Sequence, residues 1–406
     1  MYIRSMTTSS VPPDACEDKV VSLVRCEDYE RQRVLGSVKQ AIEQIGGLGA
    51  FVAAGSRVLL KTNLLAGADP AKCVTTHPEV VYAVARLLLD HGCTVVIGDS
   101  PGSGLVYSQN TLKKAYAASG LEKIAGELGV ELNYDISSRE ISAPDGRMVK
   151  RFKVISPALD CDAIVVVSKA KTHMLTYVSG AAKNLFGVIP GFDKPAYHAT
   201  LQKADSFSRM ILDLNGLLRP RLQIVDAVMA MEGDGPLSGT PRKIGAIVAG
   251  TDANAVDAIL ARLMSIEPKR VSTIAVAIER GMLREDLSDI SVTGESVEEM
   301  IVRDFKPPMT YLGTNPNSLP KRRLMGLFFR VFKNYAPQPR IVAKDCVTCL
   351  KCKRSCPVQA IHIVNKKPRI DHAKCIRCYC CHEMCDSKAI RLERTLWGRL
   401  IARMVG

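Results

Sequence analysis

Eight cysteines near the end of the chain constrain its fold and chemistry more than any other feature. Cys346, Cys349, Cys352 and Cys356 follow the spacing C-x2-C-x2-C-x3-C, and Cys375, Cys378, Cys381 and Cys385 repeat it 29 positions later. Ala360 and Ile361 recur as Ala389 and Ile390 at the same offset, so the stretch is an internal duplication. Each copy carries three closely spaced thiols and one remote thiol.

The spacing predicts two [4Fe–4S] clusters with exchanged ligands. Three thiols of a C-x2-C-x2-C loop reach one cluster, and the remote fourth thiol serves the other cluster. We assign one cluster to Cys346, Cys349, Cys352 and Cys385, and the second to Cys375, Cys378, Cys381 and Cys356. Zinc and disulfides fit less well, because tetrahedral zinc needs no third cysteine at this spacing and disulfides suit small secreted chains. Cys380 is interpreted as a non-ligand.

The preceding residues alternate short apolar strands with helical segments. Strands are predicted at residues 20–24, 57–61, 94–98, 162–167, 222–225 and 244–249. A capping box from Thr76 to Glu79, with Pro78 in the first turn, predicts a helix that runs to about Asp90. We therefore expect an α/β domain with a largely parallel sheet over residues 18–305. A small α+β two-cluster ferredoxin-like domain is expected to follow over residues 340–393.

Polar side chains cluster just after the predicted strands. These strand-end residues are Lys61, Asn63, Asp99, Ser100, Lys169, Lys171, His173 and Asp226, and nearby loops add Lys183, Asn184, His198, Glu232 and Asp234. Because open parallel sheets bind ligands beyond the carboxyl ends of their strands, we expect one cleft. The cations suit a small carboxylate or phosphate. Asp252 is instead expected to be a helix N-cap.

We divide these residues into two groups by the chemistry of their side chains. The candidate catalytic residues are Lys171, His173, Lys183, His198 and Asp226. The histidines and lysines are candidate proton donors, whereas Asp226, Glu232 and Asp234 are candidate bases or metal ligands. The remaining residues of the set are predicted to bind the ligand.

Several short motifs occur together in this domain. They are Lys61-Thr62-Asn63, Thr76-His77-Pro78, Gly98-Asp99-Ser100, Lys171-Thr172-His173, Lys183-Asn184-Leu185-Phe186-Gly187, His198 and Gly250-Thr251-Asp252. Together they resemble the domain of unknown function 362 family over roughly residues 18–300. The cysteine stretch resembles a bacterial two-cluster ferredoxin domain, except that Asp386 stands where proline usually follows the last cysteine. The resemblance implies an iron–sulfur protein with a ligand site and supplies no established reaction.

Positive charge is concentrated at the end of the chain. Residues 306–406 contain 21 Lys and Arg against 5 Asp and Glu, a net charge of +16, whereas the whole chain carries +14. Such a surface attracts acidic partners, and an acidic ferredoxin or flavodoxin is the expected low-potential electron carrier. The alternative, weighted at least equally, is a solvated basic face that offsets the negative charge of the clusters.

The segments around the two domains bear on localisation. Residues 1–17 are expected to be a disordered leader without a secretory signal. A proline-rich linker at 306–339 contains an amphipathic segment at 324–332, and a basic amphipathic helix is predicted over 394–406. We expect both to pack on the α/β domain, with peripheral membrane contact as the alternative. The scattered cysteines show no pairing pattern, which favours a reducing cytoplasm.

These patterns lead to a ranked set of functions. The leading hypothesis is a cytoplasmic oxidoreductase in which electrons pass through two clusters to a small anionic substrate. The alternative is a non-catalytic ligand-binding or redox-sensing protein with structural clusters. Nucleic-acid binding is least favoured, because the basic end lacks the interleaved aromatic side chains that stack on bases. Walker A and dinucleotide-binding loops are absent from the sequence.

Overall fold

A nine-stranded sheet forms the first domain in the computed structural model, which describes residues 19–102, 105–191, 193–201, 203–308 and 338–393. Its strands are β1 (Lys19–Arg25), β2 (Arg57–Lys61), β3 (Thr94–Gly98), β4 (Glu131–Leu132), β7 (Ala163–His173), β8 (Tyr177–Ser179), β9 (Leu222–Glu232), β10 (Thr240–Gly250) and β11 (Ile290–Gly294). A separate hairpin contains β5 (Ser138–Ser142) and β6 (Arg151–Ile155). The leader at 1–17 and the amphipathic segments at 324–332 and 394–406 lie outside the described residues.

Helices cover both faces of this sheet. They are α1 (Arg31–Glu43), α2 (Pro78–Asp90), α3 (Gln109–Ala118), α4 (Leu121–Leu128), α5 (Pro157–Asp160), α6 (Ala181–Asn184), α7 (Asp193–Thr200), α8 (Ala204–Leu218), α9 (Ala253–Leu263), α10 (Ser272–Glu279) and α11 (Val297–Met300). Within the described ranges, no helix is both long and apolar enough to cross a membrane.

The sheet is mixed and mostly parallel, as the sequence predicts. Its order is β11-β1-β10-β9-β7-β2-β3-β4, and β8 pairs with β7 outside this order. The pairs β11–β1, β9–β7, β7–β2, β2–β3 and β3–β4 are parallel. Among the described strands of this sheet, only β10, against both of its neighbours, and β8, against β7, pair in an antiparallel direction. The parallel half therefore brings the carboxyl ends of β2, β3 and β7 to one edge.

The central strand is buried on both faces. Val165 and Val167 pack in the core formed with α1 and α2, whereas Val166 and Ala170 pack in the core that includes α8 and α9. This double coverage explains the continuous apolar run predicted for this strand, because neither face needs polar side chains toward solvent.

Two strands extend beyond their predicted ends. The sequence places the ends at Val167 and Val225, yet β7 continues to His173 and β9 continues to Glu232. β8 pairs with the extension of β7, and β10 pairs with β9 along nearly its whole length. Residues 168–173, predicted to be a loop, therefore have ordered backbone partners.

The predicted capping box of α2 is wrong in its capping residue. His77 is the N-cap, and its Nδ1 accepts a hydrogen bond from the Glu79 backbone N–H at 3.2 Å. The Thr76 hydroxyl instead donates to the Val167 carbonyl at 2.8 Å and accepts from the Asn63 N–H at 2.9 Å. Thr76 thereby joins β7 to the segment after β2. Asp252 does cap α9, as expected.

The cysteine-rich domain repeats its structure as well as its sequence. The first copy contains β12 (Gln338–Ile341), α12 (Lys351–Arg354) and β13 (Ile361–Val364), and the second contains β14 (Lys367–Ile370), α13 (Cys380–Glu383) and β15 (Ile390–Glu393). Each element of the second copy begins 29 positions after its counterpart. β12 pairs with β15, and β13 pairs with β14, so every strand pairs with a strand of the other copy. The two copies are therefore interlocked.

The central sheet depends on tight packing at β2. Leu60 is fully buried in the core under α1 and α2. We expect Leu60→Ala to lower the free energy of unfolding by about 2–5 kcal/mol through lost contacts and a residual cavity. Chemical denaturation measures this change, with the half-exposed Val106→Ala as the control, expected to stay within about 0.5 kcal/mol. Equal losses for the two variants would contradict the assigned core.

Candidate functional site

A small cavity lies beyond the carboxyl ends of β2, β3 and β7. Its volume is about 60 Å³. The polar residues that line it are Asn63, Asp99, Ser100, Ser179 and Asn184 together with Lys171, Lys183, Lys194, His173 and His198. Leu65, Phe186 and Pro236 supply apolar walls. The structure thus brings eight of the sequence-predicted residues to one cavity at the expected edge of the sheet.

A buried ion pair borders this cavity. Lys61 Nζ lies 3.0 Å from Asp99 Oδ1, and both side chains are almost fully buried. Asp99 also accepts hydrogen bonds from the backbone N–H groups of Ser100 and Leu64, each at 2.8 Å. A Cβ atom at Gly187 would lie 2.2 Å from Asp99 Oδ1, so only glycine leaves room for the pair. Lys61 lies behind the cavity wall and fixes Asp99.

Two further lysines have neutral partners. Lys171 Nζ donates to Asn63 Oδ1 at 2.9 Å and to the Val74 carbonyl at 2.7 Å. Lys194 Nζ donates to the Ser100 hydroxyl and the Pro101 carbonyl, each at 2.8 Å, and to the Ser100 carbonyl at 3.1 Å. Both ammonium groups are buried without a carboxylate in hydrogen-bond contact among the described residues.

Burial shifts the pKa values of these lysines. The pKa of Lys194 falls to about 7, because burial disfavours the ammonium form and neighbouring Lys61 and Lys183 add repulsion, while Asp99 and Asp193 act in the opposite direction. The pKa of Lys171 falls well below its usual value for the same reasons. Near neutral pH Lys194 can therefore release and regain a proton, and burial shifts Lys171 in the same direction.

Both histidines of the cavity are held in the neutral form. Burial lowers the pKa of His173 well below its usual value and that of His198 to about 3. His173 Nδ1 accepts hydrogen bonds from the backbone N–H groups of Leu175 and Thr176, at 3.1 and 3.3 Å. Its ring hydrogen therefore lies on Nε2, and His173 is a donor there.

His198 is oriented by aromatic packing. Its ring stacks on Phe207 with 4.6 Å between ring centroids and meets Phe186 edge-on. His198 Nδ1 is buried and has no hydrogen-bond partner in the described part of the chain. A buried nitrogen of this kind usually has a hydrogen-bond partner, and at a cavity that partner would be a bound molecule or water.

Lys183 and Asn184 reach the cavity from the short helix α6. Asp257 accepts hydrogen bonds from the first backbone N–H groups of this helix, those of Ala181 and Ala182, at 2.6 and 3.1 Å. Burial raises the pKa of Asp257 to about 7. The carboxyl of Asp257 therefore fixes the start of the helix that presents Lys183 to the other cations.

Lys169 and Asp226 are not part of the cavity, contrary to the expectation of a single cleft. They form a fully buried ion pair with 2.9 Å between Lys169 Nζ and Asp226 Oδ2. The Tyr29 hydroxyl donates to Asp226 at 2.8 Å and accepts from Lys169 at 2.7 Å, and the His77 N–H donates to Asp226 at 2.9 Å. This network ties the starts of α1 and α2 to the sheet. A base role for Asp226 has no support in this arrangement.

Glu232 and Asp234 also lie outside the cavity. Glu232 accepts a hydrogen bond from the Lys306 backbone N–H at 3.0 Å. Asp234 lies close enough to the ring of His382, in the cysteine-rich domain, for its charge to act on that imidazole. The loop that carries these acidic residues therefore faces the second domain.

Three thiols lie near that of Cys352. Burial, together with the nearby sulfur atoms of Cys385, Cys349 and Cys346, raises the pKa of the Cys352 thiol to about 11. Three of these residues come from one loop, and Cys385 comes from the other copy of the repeat.

A second set surrounds Cys381. Burial raises its pKa well above the usual value, with further increases from nearby Cys378, Cys375, Cys352 and Cys356. Cys356 is the remote cysteine of the first copy, and its sulfur accepts a hydrogen bond from the Ala360 N–H at 3.2 Å. The interlocked strands thus place each remote thiol beside the close thiols of the other copy.

The donor sets have the chemistry that iron–sulfur clusters require. The cysteines of the repeat are soft sulfur donors, the type of ligand that the irons of a [4Fe–4S] cluster take. Within the described residues, no three Cys, His, Asp or Glu side chains are placed to hold a single metal ion. Left-handed residues recur in the two ligand loops, at Thr348 and Leu350 and again at Arg377 and Tyr379. Both loops therefore curl in the same way around their thiols.

Sequence reasoning missed Lys194, Tyr29 and His77 as members of these networks. Lys194 follows no strand, but it lies four residues before His198 on α7, and that spacing places both on one helix face. Tyr29 precedes a helix and carries no motif. Only the fold brings its hydroxyl to Lys169.

Comparisons with known proteins match both domains. A family model described as Domain of unknown function (DUF362) matches residues 58–262, and a 4Fe-4S dicluster domain model matches residues 338–386. A thylakoid-associated protein of Synechocystis sp. is 33% identical over 295 residues, which are 71% of this chain and 88% of that protein.

Two solved structures match part of the chain. The lactate racemase apoprotein from Thermoanaerobacterium thermosaccharolyticum matches with a TM-score of 0.37 and 11% identity over 60% of this chain and 56% of that chain. A Thermotoga maritima protein matches with a TM-score of 0.36 and 15% identity over 57% of each chain. The chain spans little more than half the length of these structures, and likeness of this degree carries no functional argument.

The Lys61–Asp99 pair provides a test of the site's construction. We expect Asp99→Ala to lower the free energy of unfolding by about 3–5 kcal/mol, because it leaves a buried lysine without its carboxylate. The control is Asp90→Ala, which removes an exposed pair with Arg86 and is expected to cost no more than about 1 kcal/mol. Chemical denaturation compares them, and a similar small loss in both would contradict the buried pair.

Proposed function

We propose that this chain, which belongs to the family described as Domain of unknown function (DUF362) and carries a 4Fe-4S dicluster domain, is a reductase. Electrons from the cysteine-rich domain reach a small anion bound in the cavity of the α/β domain.

One loop, residues 233–239, carries this proposal because it contacts both sites. Pro236 lines the cavity, and Asp234 lies beside His382, the residue that follows Cys381. Lys388 Nζ of the cysteine-rich domain reaches the Gly239 carbonyl at 3.4 Å. A single short segment therefore separates the second set of thiols from the cavity.

The loop is held tightly against β7. Thr172 Oγ1 donates to the Gly233 carbonyl at 2.7 Å, and a Cβ atom at Gly235 would lie 2.1 Å from the Thr172 carbonyl oxygen. Thr172 lies between Lys171 and His173 in β7. The same strand therefore holds both the loop that contacts the second domain and two cavity residues. Tight packing of this kind favours electron transfer between neighbouring centres.

Two clusters are proposed, with the exchanged ligand sets described above. Cys346, Cys349, Cys352 and Cys385 would hold one cluster, and Cys375, Cys378, Cys381 and Cys356 the other. When bound, each cluster supplies one electron at a time at low potential. Cys380 belongs to neither set.

The cavity residues supply binding and protons. The anion takes up two electrons and two protons, and two molecules of a one-electron carrier are oxidised in exchange. Lys194 donates one proton, since its pKa of about 7 makes it an effective acid near neutral pH. Lys171, whose pKa burial also lowers, donates the second, and solvent restores both. His173 donates a hydrogen bond from Nε2 and orients the substrate.

The proposed electron donor is an acidic low-potential carrier in the cytoplasm. Cys349 is exposed, and Val347 beside it has 71% of its surface exposed. Lys344, Lys353 and Arg354 surround this edge with exposed positive charge. A carboxylate-rich flavodoxin or ferredoxin would be attracted to this surface.

Iron content tests the ligand sets. After anaerobic reconstitution we expect about eight irons per chain, with the Cys349→Ser and Cys378→Ser variants each losing about half. Cys380→Ala is the matched control, in the second ligand loop, and is expected to keep the full complement. A loss of iron in the control equal to that in the variants would refute the assigned ligand sets. Clusters that stay oxidised with strong low-potential reductants would refute the proposed electron transfer.

Reoxidation of the reduced protein tests the reductase itself. Chemically reduced protein is mixed with a panel of small carboxylates and phosphates, and cluster absorbance and electron paramagnetic resonance are followed. We expect at least one compound to reoxidise the wild-type clusters, and His173→Gln to slow this step at least about tenfold without changing iron content. A non-catalytic, ligand-binding protein would bind a compound of the panel and remain reduced.

A further inference from the structure

Asn63, Ser100, Lys171 and His173 offer a ligand hydrogen-bond donors rather than acceptors. Asp99 is the one carboxylate among the described lining residues, and Lys61, Ser100 N–H and Leu64 N–H already occupy its oxygens. Asn63 directs its Oδ1 to Lys171, which leaves its amide N–H₂ as the remaining polar group.

The hydroxyl of Ser100 is also a donor toward the cavity. Its oxygen accepts from Lys194 Nζ at 2.8 Å and from the Gly191 N–H at 3.1 Å. With both acceptor positions of the oxygen used, its own hydrogen is the group left to bind a ligand. His173 carries its ring hydrogen on Nε2, because its Nδ1 accepts hydrogen bonds from two backbone N–H groups.

The charges of the lining do not cancel. Lys61 and Asp99 neutralise each other, whereas the described hydrogen bonds of Lys171 and Lys194 all go to neutral oxygens. Lys183 adds its field to both of these ammonium groups. Full protonation of Lys171 and Lys194 therefore calls for two negative charges from a ligand, because buried cations are costly without counter-charge.

The size of the cavity limits the ligand. A volume of about 60 Å³ holds about four to six atoms the size of a water oxygen. An oxyanion with one central atom and four oxygens falls within this range, so the volume suits a compact anionic group.

We infer that the cavity binds a compact oxyanion carrying two negative charges, with Lys171 and Lys194 as counter-ions and Ser100, Asn63 and His173 as donors. This inference rests on the proposed function for its site and names the class of the anion. It requires ligand charge, rather than shape alone, to decide affinity.

Sulfate and perchlorate distinguish the effect of charge from that of shape, because both ions are tetrahedral but sulfate carries two negative charges and perchlorate carries one. Titration calorimetry on the full chain with clusters loaded, at pH 6.5 and constant ionic strength, measures both affinities. We expect sulfate to bind at least about tenfold more tightly than perchlorate. Equal affinities, or binding of neither ion, would overturn the inference.

The affinity for sulfate should also depend on pH. Sulfate keeps its charge between pH 6.5 and 8.5, so the change reports on the protein. Lys194 faces Asp99, Asp193, Lys61 and Lys183, and its pKa of about 7 means that the ammonium is lost as pH rises. We expect sulfate affinity to fall by about tenfold over this range, with proton uptake on binding. A flat profile would contradict the role of Lys194.

Variants locate the site. Lys171→Met should abolish sulfate binding, and Ser100→Ala should weaken it about tenfold while removing only one hydroxyl. Lys123→Met, at a lysine with 78% of its side chain exposed, is the control and should bind like wild type. Unchanged binding in Ser100→Ala and Lys171→Met together would overturn the inference. Dianion binding without any reoxidation of reduced clusters would instead reject the proposed reductase and leave the anion site standing.

Discussion

The burial of lysines at the carboxyl edge of the sheet is the constraint on which the rest of the α/β domain depends. An ammonium group removed from water needs acceptors in every direction, and each buried lysine obtains them from a different segment. Lys61 takes Asp99 and Asn184, Lys169 takes Asp226 and Tyr29, and Lys194 takes the turn after β3. Loops distant in sequence are therefore held in place by their hydrogen bonds to these lysines. At the cavity, the positive charge of Lys171 and Lys194 is not balanced by a carboxylate in hydrogen-bond contact among the described residues.

The second domain is built differently, from two copies of one unit in which neither copy pairs its own two strands with each other. Each copy contributes two strands, and both pair with the other copy. This exchange brings Cys356 and Cys385 across to the opposite ligand loops. Although the two halves are related by repetition, their surroundings differ: Cys349 is exposed, whereas its counterpart Cys378 is partly buried, and His382 of the second copy faces the α/β domain.

The sequence predicted those parts of the molecule that local chemistry determines. Cysteine spacing, apolar strands and Asp252 as a cap all depend on residues near one another in the chain, and the fold class followed from them. The ends of β7 and β9 were misjudged because polar residues such as Lys169 and Lys171 resemble a loop until their buried partners are known. Lys169 and Asp226 were assigned to the cleft since both follow strands, but Tyr29 draws them into a separate network. Long-range partners of this kind leave no local pattern.

The absence of a side chain at Gly187 limits which substitutions the polar side of the cavity can accept. With no side chain there, the wall beside Asp99 and Lys61 is bare backbone, and any larger residue would displace the charged pair. Substitutions beside Asp99 and Lys61 therefore disturb the charged pair first, whereas Leu65, Phe186 and Pro236 line the cavity without belonging to that pair. A change of ligand would be accommodated on the apolar side at a smaller cost in stability.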